Sequence, residues 1–179
     1  MQVSDLWEHD DVTSDSAEIP LDRAAAGRMW DAYAAAHPDA ATASPDYTVE
    51  HFGDSPALAD QLLAPVVEGA KRATSSLVVE YVIENEPLPR IGTHWIACDG
   101  HGTPRVILRT LELRLGRFES VDADFAAAEG EDDRTLESWR REHRRYWMRV
   151  CTRLGHEWSE DDEIVMERFA VVWLPEQAD

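Results

Sequence analysis

An amine and a hydroxyl three positions apart, Lys71 and Thr74 in the run Gly69-Ala70-Lys71-Arg72-Ala73-Thr74-Ser75, are the residues of this sequence best suited to covalent chemistry. A lysine that loses its proton on burial can accept the threonine proton and turn the hydroxyl into a nucleophile. In a turn of helix the two side chains share a face, and in a straight strand they point oppositely, so the chain must bend between them to make a pair. The exit of a helix at Gly69 is where such a bend is expected. The same spacing also fits a Lys71 solvated at the negative end of that helix and a Thr74 that merely opens a strand.

Carboxylates follow in Ala126-Ala127-Ala128-Glu129-Gly130-Glu131-Asp132-Asp133. Glu129 or Glu131 could orient a lysine amine or handle a leaving group. An acidic first turn that complements the dipole of the next helix accounts for Asp132, Asp133 and Glu137, and less well for Glu129. The next helix presents Arg140, Arg141, Arg144, Arg145 and Arg149, either as a face ion-paired within an acidic protein or as a groove for a phosphate-bearing ligand. Seven tryptophans are available for base stacking, but Trp139, Trp147 and Trp173 fall at inward positions. His94, Cys98, Asp99 and His101 match no standard ligand spacing, so no metal is expected. There is no Walker loop, no GxGxxG and no GxSxG, and no cofactor is expected.

The elements that must position these residues read as an α+β fold. Helix formers from Leu21 to His37 place Ala26, Met29, Trp30 and Tyr33 on one face, and Pro38 stops the run. Ser55-Pro56 opens a second helix, with Pro65 as a possible kink and Gly69 as its left-handed close. The segment from Leu77 to Ile83 suits strand or short helix equally. Thr93 to Cys98, the turn Asp99-Gly100-His101-Gly102 and Val106 to Leu115 read as a hairpin, its second strand bulged or covered on both faces. Short helical turns are expected from Phe118 to Asp133. A third helix runs from Asp133 or Thr135 to about Arg153, with Leu136, Trp139, His143, Tyr146, Trp147 and Val150 inward. A last strand spans Ile164 to Leu174. This irregular alternation favours a small mixed barrel flanked by helices over a regular βαβ series.

At 179 residues the chain fits one domain, expected over residues 23–175 behind an acidic, mobile arm at residues 1–22. With 36 acidic against 17 basic residues, a formal charge of -19 works against long-range attraction to phosphate backbones and disfavours tight duplex binding. Two distant cysteines point to a reducing compartment. No apolar run suits a bilayer and the N-terminus lacks signal-peptide character, so a cytoplasmic protein without a membrane partner is expected.

Several strings in consistent order, from about Trp30 to Leu174, carry a resemblance. They are Phe52-Gly53-Asp54-Ser55-Pro56-Ala57-Leu58-Ala59-Asp60, Gly69 to Leu77, Glu86-Pro87-Leu88-Pro89-Arg90-Ile91-Gly92, Phe125 to Glu131, Leu136 to His143, and Glu167-Arg168-Phe169. Together they resemble an ASCH-domain protein. The resemblance implies a PUA-like fold, a small mixed β-barrel with flanking helices, and a cleft that takes a nucleoside or single-stranded RNA. Some small bacterial members remove the acetyl group of 4-acetylcytidine with a Lys, Thr and Glu triad; others are described as ribonucleases or RNA-binding regulators. Carried over by motif, Lys71 is the base, Thr74 the nucleophile and Glu129 the carboxylate, with Phe52, Ser75, Ser76, Glu131, Trp139, Arg140 and His143 beside the substrate. The leading expectation is therefore an amidohydrolase acting on an acylated cytosine amine, with a noncatalytic RNA-binding module or a ribonuclease as alternatives. Where the amidohydrolases have an arginine shortly after the threonine, this chain has Ser76, and Arg144 and Arg145 stand where similar proteins are more apolar.

Overall fold

A computed structural model describes residues 19–175. Most of the expected acidic arm, residues 1–18, lies outside the described residues. Its last part is seated on the domain: Ile19 is buried, and the Asp22 N–H donates to Gly102 O at 2.9 Å. Asp22 also caps the first helix, its carboxylate accepting the Ala25 N–H at 2.8 Å.

Helix α1 (Arg23–Ala36) ends before Pro38, which, rather than only stopping the chain, opens a short helix α2 (Pro38–Ala43). A proline in the first turn of a helix has no N–H to leave unpaired. Strand β1 (Tyr47–His51) follows, where the sequence pattern predicts no element. It is five residues long and pairs in parallel with a distant strand, so no hairpin signal flanks it. Helix α3 (Pro56–Glu68) starts as expected, with Ser55 Oγ accepting the Leu58 N–H at 3.3 Å, and closes on Gly69 at φ 94°.

Past Gly69, the Ala70 and Lys71 amides both donate to Pro65 O, at 2.8 and 2.9 Å, and the Arg72 N–H donates to Ala128 O at 2.7 Å. This tight exit turns Lys71 into the interior before strand β2 (Ala73–Leu77) begins. The segment that suited either strand or helix divides at Leu77: β2 ends there and helix α4 (Val78–Glu84) starts. Glu80 decides the point, its carboxylate accepting the Leu77 N–H at 2.8 Å.

The expected hairpin is β3 (His94–Cys98) and β4 (Pro104–Gly116), with Asp99 Oδ1 accepting the His101 and Thr103 amides across the turn. Register shifts interrupt β4 against both its neighbours, which accounts for its imperfect alternation. A 3-10 turn (Phe118–Ser120), helix α5 (Ala123–Glu129), helix α6 (Leu136–Leu154) and strand β5 (Ile164–Trp173) complete the described chain. The five strands form one mixed sheet in the order β1-β3-β4-β5-β2, curled into a half-barrel, with β1 parallel to β3 and the other pairs antiparallel.

Three apolar clusters hold the helices to this sheet. Trp139, Trp147 and Cys151 of α6 pack with Phe118, Phe125, Ile164 and Met166. Phe52 and α3 residues Leu63 and Val66 pack on Trp95, Leu108 and Phe169, and α1 lies over Val49, Ile96 and Ile107. Trp139 and Trp147 are core, as their spacing predicts, whereas Trp173 is only partly buried.

Gly130 joins α5 to the following loop at φ 68°, and a Cβ there would lie 2.6 Å from Ala70 O and 2.9 Å from Lys71 Cα. Gly130→Ala is therefore expected to lower stability by about 1–3 kcal/mol, read as a drop in the urea midpoint. Gly155, also at positive φ but with nothing within 4 Å of where a Cβ would stand, is the control: Gly155→Ala should cost measurably less.

Candidate active site

Residues from three separate stretches of chain meet behind the edge strand β2. The helix exit sends Lys71 inward, the C-terminal end of α5 supplies Glu129, and Gly130 carries the chain on to Glu131. Lys71 is 0% exposed and Glu129 1%, while the Glu131 side chain keeps 20%. Lys71 Nζ donates to Glu131 Oε1 at 2.5 Å, to Glu129 Oε2 at 3.4 Å and to Glu129 O at 3.2 Å. Phe52 covers it, with Nζ 5.6 Å from the ring centroid.

Glu129 is the hub. Its Oε1 accepts Ser75 Oγ–H at 2.6 Å and Trp139 Nε1–H at 2.9 Å, and its Oε2 lies 3.5 Å from His143 Nε2. His143 donates from Nδ1 to Trp139 O at 3.0 Å and stacks on the Trp139 ring with centroids 4.1 Å apart. With Nδ1–H spent on a carbonyl, Nε2 faces a carboxylate, the arrangement that favours the doubly protonated imidazolium.

The charges follow from this geometry. Burial alone would push the Glu129 carboxyl up, but the His143 and Lys71 charges, with hydrogen bonds from His143 and Ser75, hold it well below the usual carboxylate range. Burial alone would lower His143; Glu129 more than offsets that and raises it above its ordinary 6.5. Lys71 corrects the sequence-based expectation of a lowered lysine. Desolvation pulls the amine down, yet Glu131 and Glu129 together outweigh it and raise Lys71 above its ordinary value. The resting amine is therefore an ammonium, because two carboxylates enclose it where one was expected to orient it.

Thr74 and Ser75 line a cavity together with Phe52, Glu129, Glu131 and His143. A neighbouring chamber of about 270 Å³ shares Leu62, Glu131, Glu142 and His143 with it, so the two are lobes of one cleft, and Trp139 lines the second. Lys71 Nζ, among the described residues, bonds to the two glutamates and not to Thr74. Ser76 and Arg140 do not line either lobe; the Ser76 hydroxyl sits 3.1 Å from the Tyr81 hydroxyl. Sequence reasoning passed over Glu142, which lines both lobes. Its signal was present, since position 142 follows Trp139 by three and lies on the same inward face of α6.

Glu129, Glu131 and His143 place ligand-type atoms within 4.8 Å of one another. Lys71 Nζ already bridges the two carboxylates, so a cation bound there would have to displace the ammonium. His94, Cys98, Asp99 and His101 do not form such a group among the described residues; His94 is instead packed against Tyr33, with 3.1 Å between Nε2 and the phenol oxygen. Five arginines of α6 are engaged by carboxylates: Arg141 with Asp132 and Glu142, Arg144 with Glu160, Arg145 with Glu142, and Arg149 and Arg153 both with Asp54.

The sequence matches the family model described as the ASCH domain over residues 48–173. The chain belongs to the ASCH domain family. The shared span runs from β1 to the end of β5 and contains every residue of the cluster. Among solved structures, an ASCH domain from Lactobacillus crispatus JV V101 is similar at TM-score 0.77 and 26% identity, covering 85% of this chain and 96% of that one. Protein EF3133 from Enterococcus faecalis V583 is similar at TM-score 0.75 and 30% identity, covering 85% and 90%. Among curated proteins none is significantly similar. Within this ASCH domain no helix of the described residues is long and apolar enough to cross a membrane.

The paired shifts of Glu129 and His143 set a pH window. The depressed Glu129 contributes stability that is complete above its ordinary 4.5 and is lost as pH falls through its folded value. The raised His143 contributes stability that is complete below 6.5 and is lost as pH rises through its folded value. NMR titration of His143 is expected to give a midpoint above 6.5 in the wild-type protein. In Glu129→Gln the midpoint should fall below the wild-type midpoint, since burial is then opposed only by Glu131 and the Trp139 carbonyl; an unchanged midpoint would refute the pairing.

Proposed function

We propose that this ASCH domain is an amidohydrolase that removes an acyl group from the exocyclic amine of an acylated cytosine nucleoside. The observation that carries the reading is convergence: Lys71 and Glu129, nominated by motif and 58 positions apart, are in direct contact in the interior. Thr74 lines the same cavity as Glu129 and Glu131. Of the described charged groups lining the two lobes, most are carboxylates, which suits a neutral nucleoside better than a phosphate chain.

In this reading Thr74 Oγ1 attacks the acyl carbon, the carbon–nitrogen bond breaks, the cytosine amine leaves with a proton, and water then releases acetate from the acyl-threonine. The proton passes through Lys71. Because the resting amine is charged, it must first give a proton to Glu131, its partner at 2.5 Å. The neutral amine then accepts the Thr74 proton and returns it to the leaving nitrogen. Glu129 stays ionised throughout and holds Lys71, Ser75 and His143 in place.

A noncatalytic RNA-binding reading needs free cations for phosphates, and two of the α6 arginines it would use, Arg144 and Arg145, are already paired with acidic residues. The deciding experiment is acetate release from 4-acetylcytidine. Wild-type protein is expected to turn over, Thr74→Ala to lose turnover to background, and Lys71→Met to lose about 100- to 10,000-fold in kcat. Absence of wild-type turnover on 4-acetylcytidine and related acylated cytosines would end the proposal.

A further inference from the structure

Strand β2 lies at the edge of the sheet, so one side of its backbone has no strand partner among the described residues. Two bonds fix which amides face which way. Phe169 N–H donates to Arg72 O at 3.0 Å, and Val78 N–H donates to Glu163 O at 2.9 Å. Residues 72 and 78 therefore face β5, and in the uninterrupted register between them so do Thr74 and Ser76. The amides of Ala73, Ser75 and Leu77 point the other way, out of the free edge. Leu77 bears out the alternation, since its outward N–H is the one that Glu80 accepts at 2.8 Å.

Neighbouring side chains on a strand point to opposite faces, yet Thr74 and Ser75 both line the same cavity. That is possible where the cavity abuts the strand edge, which is also where the Ser75 N–H points. Ser75 is held there by its side chain, which donates at 2.6 Å to Glu129, a lining residue of the same cavity.

We infer that the Ser75 backbone N–H is the oxyanion donor of this site, binding the carbonyl oxygen of the scissile amide as Thr74 attacks it. This deepens, and rests on, the acyl-transfer reading above. Attack forms the bond from Thr74 Oγ1 to the acyl carbon and moves the carbonyl electron pair onto oxygen. Collapse restores the carbonyl, expels the cytosine amine with its proton and leaves the acyl-threonine; water then returns free Thr74 and acetate. An amide immediately after the nucleophile is a recurrent oxyanion donor in acyl transfer. Here it is available because it takes no part in the β2–β5 ladder.

The test replaces the Ser75 amide by an ester through incorporation of the corresponding hydroxy acid, which removes the N–H and keeps the side chain. No ladder bond is lost, so the fold is expected to persist, checked by its urea midpoint. With 4-acetylcytidine the ester protein should lose about 100- to 1,000-fold in kcat with KM little changed. Ser75→Pro gives a second measure: an edge position whose N–H faces away from the ladder tolerates proline, and Ser75→Ala, which keeps the N–H, is its reference. Ser75→Pro should fall well below Ser75→Ala in kcat. An ester protein within about threefold of wild type, against the loss expected of a missing oxyanion donor, overturns this role while leaving the hydrolase reading intact. Absent wild-type turnover, or turnover that survives in Thr74→Ala, overturns both.

Discussion

A lysine ammonium with no exposed surface is the constraint around which this domain is built. Removing such an ion from water costs several kcal/mol, and only close opposite charge with good hydrogen bonding offsets it. Lys71 meets Glu131 and Glu129 on one side, and Glu129 in turn meets His143, Ser75 and Trp139. The members come from five places in the chain: the exit of α3 (Lys71), the middle of β2 (Ser75), the end of α5 (Glu129), the loop beyond it (Glu131) and α6 (Trp139 and His143). The backbone reinforces the arrangement, since Arg72 N–H bonds to Ala128 O directly behind the two charged groups. Loss of one member leaves a buried charge without its counterpart, which lowers stability without an apolar partner to take its place.

Opposite charges arranged in this way also explain why the lysine departs from the behaviour its spacing suggested. A single carboxylate beside a buried amine leaves desolvation and attraction in competition. Two carboxylates settle that competition for the charged form. The sequence contained both glutamates, two positions apart, but spacing cannot say that the glycine between them lets both reach one nitrogen. That depends on the close approach of Gly130 to Ala70 and Lys71, a contact between segments far apart in the chain. What was legible is local: the cap and close of α3, the β3–β4 turn, the inward face of α6 and the extent of β5. What was not legible is long-range or balanced: the parallel partner of β1, and the boundary at Leu77, where β-branched residues suit either state until Glu80 caps the helix. The contact between Lys71 and Glu129 was visible only as motif, because no periodicity connects positions 71 and 129.

The arginine-rich helix illustrates how total charge misleads about local function. A chain of formal charge -19 with a basic helix invites a search for an anionic partner outside the protein. The partners lie within it: Asp54 ahead of α3, Asp132 ahead of α6, Glu142 on α6 itself and Glu160 ahead of β5. Exposed pairs of this kind contribute little each. Their collective effect is to tie α6 to three loops while its inner face carries Trp139, Glu142 and His143 to the cleft. The helix is internal counter-charge, and the cleft beneath it is left with carboxylates.

The edge position of β2 links these features. An unpaired strand edge is ordinarily a liability, because its amides invite pairing with another chain, and proteins cover or block it. Here the chain blocks one outward amide with its own Glu80 and turns another, that of Ser75, toward a cavity that a neighbouring strand cannot enter. The two faces of the same strand then divide the remaining work. Ser75 sends its hydroxyl back to Glu129 and anchors the strand to the ionic cluster, while Thr74 is paired through its backbone with Glu167 on β5. A strand paired on both sides could not turn the Ser75 amide to the cavity, since that amide would be spent on the ladder. The proposed nucleophile Thr74, the carboxylates of Glu129 and Glu131 and the outward Ser75 amide can border one cavity because that cavity lies at the edge of the sheet.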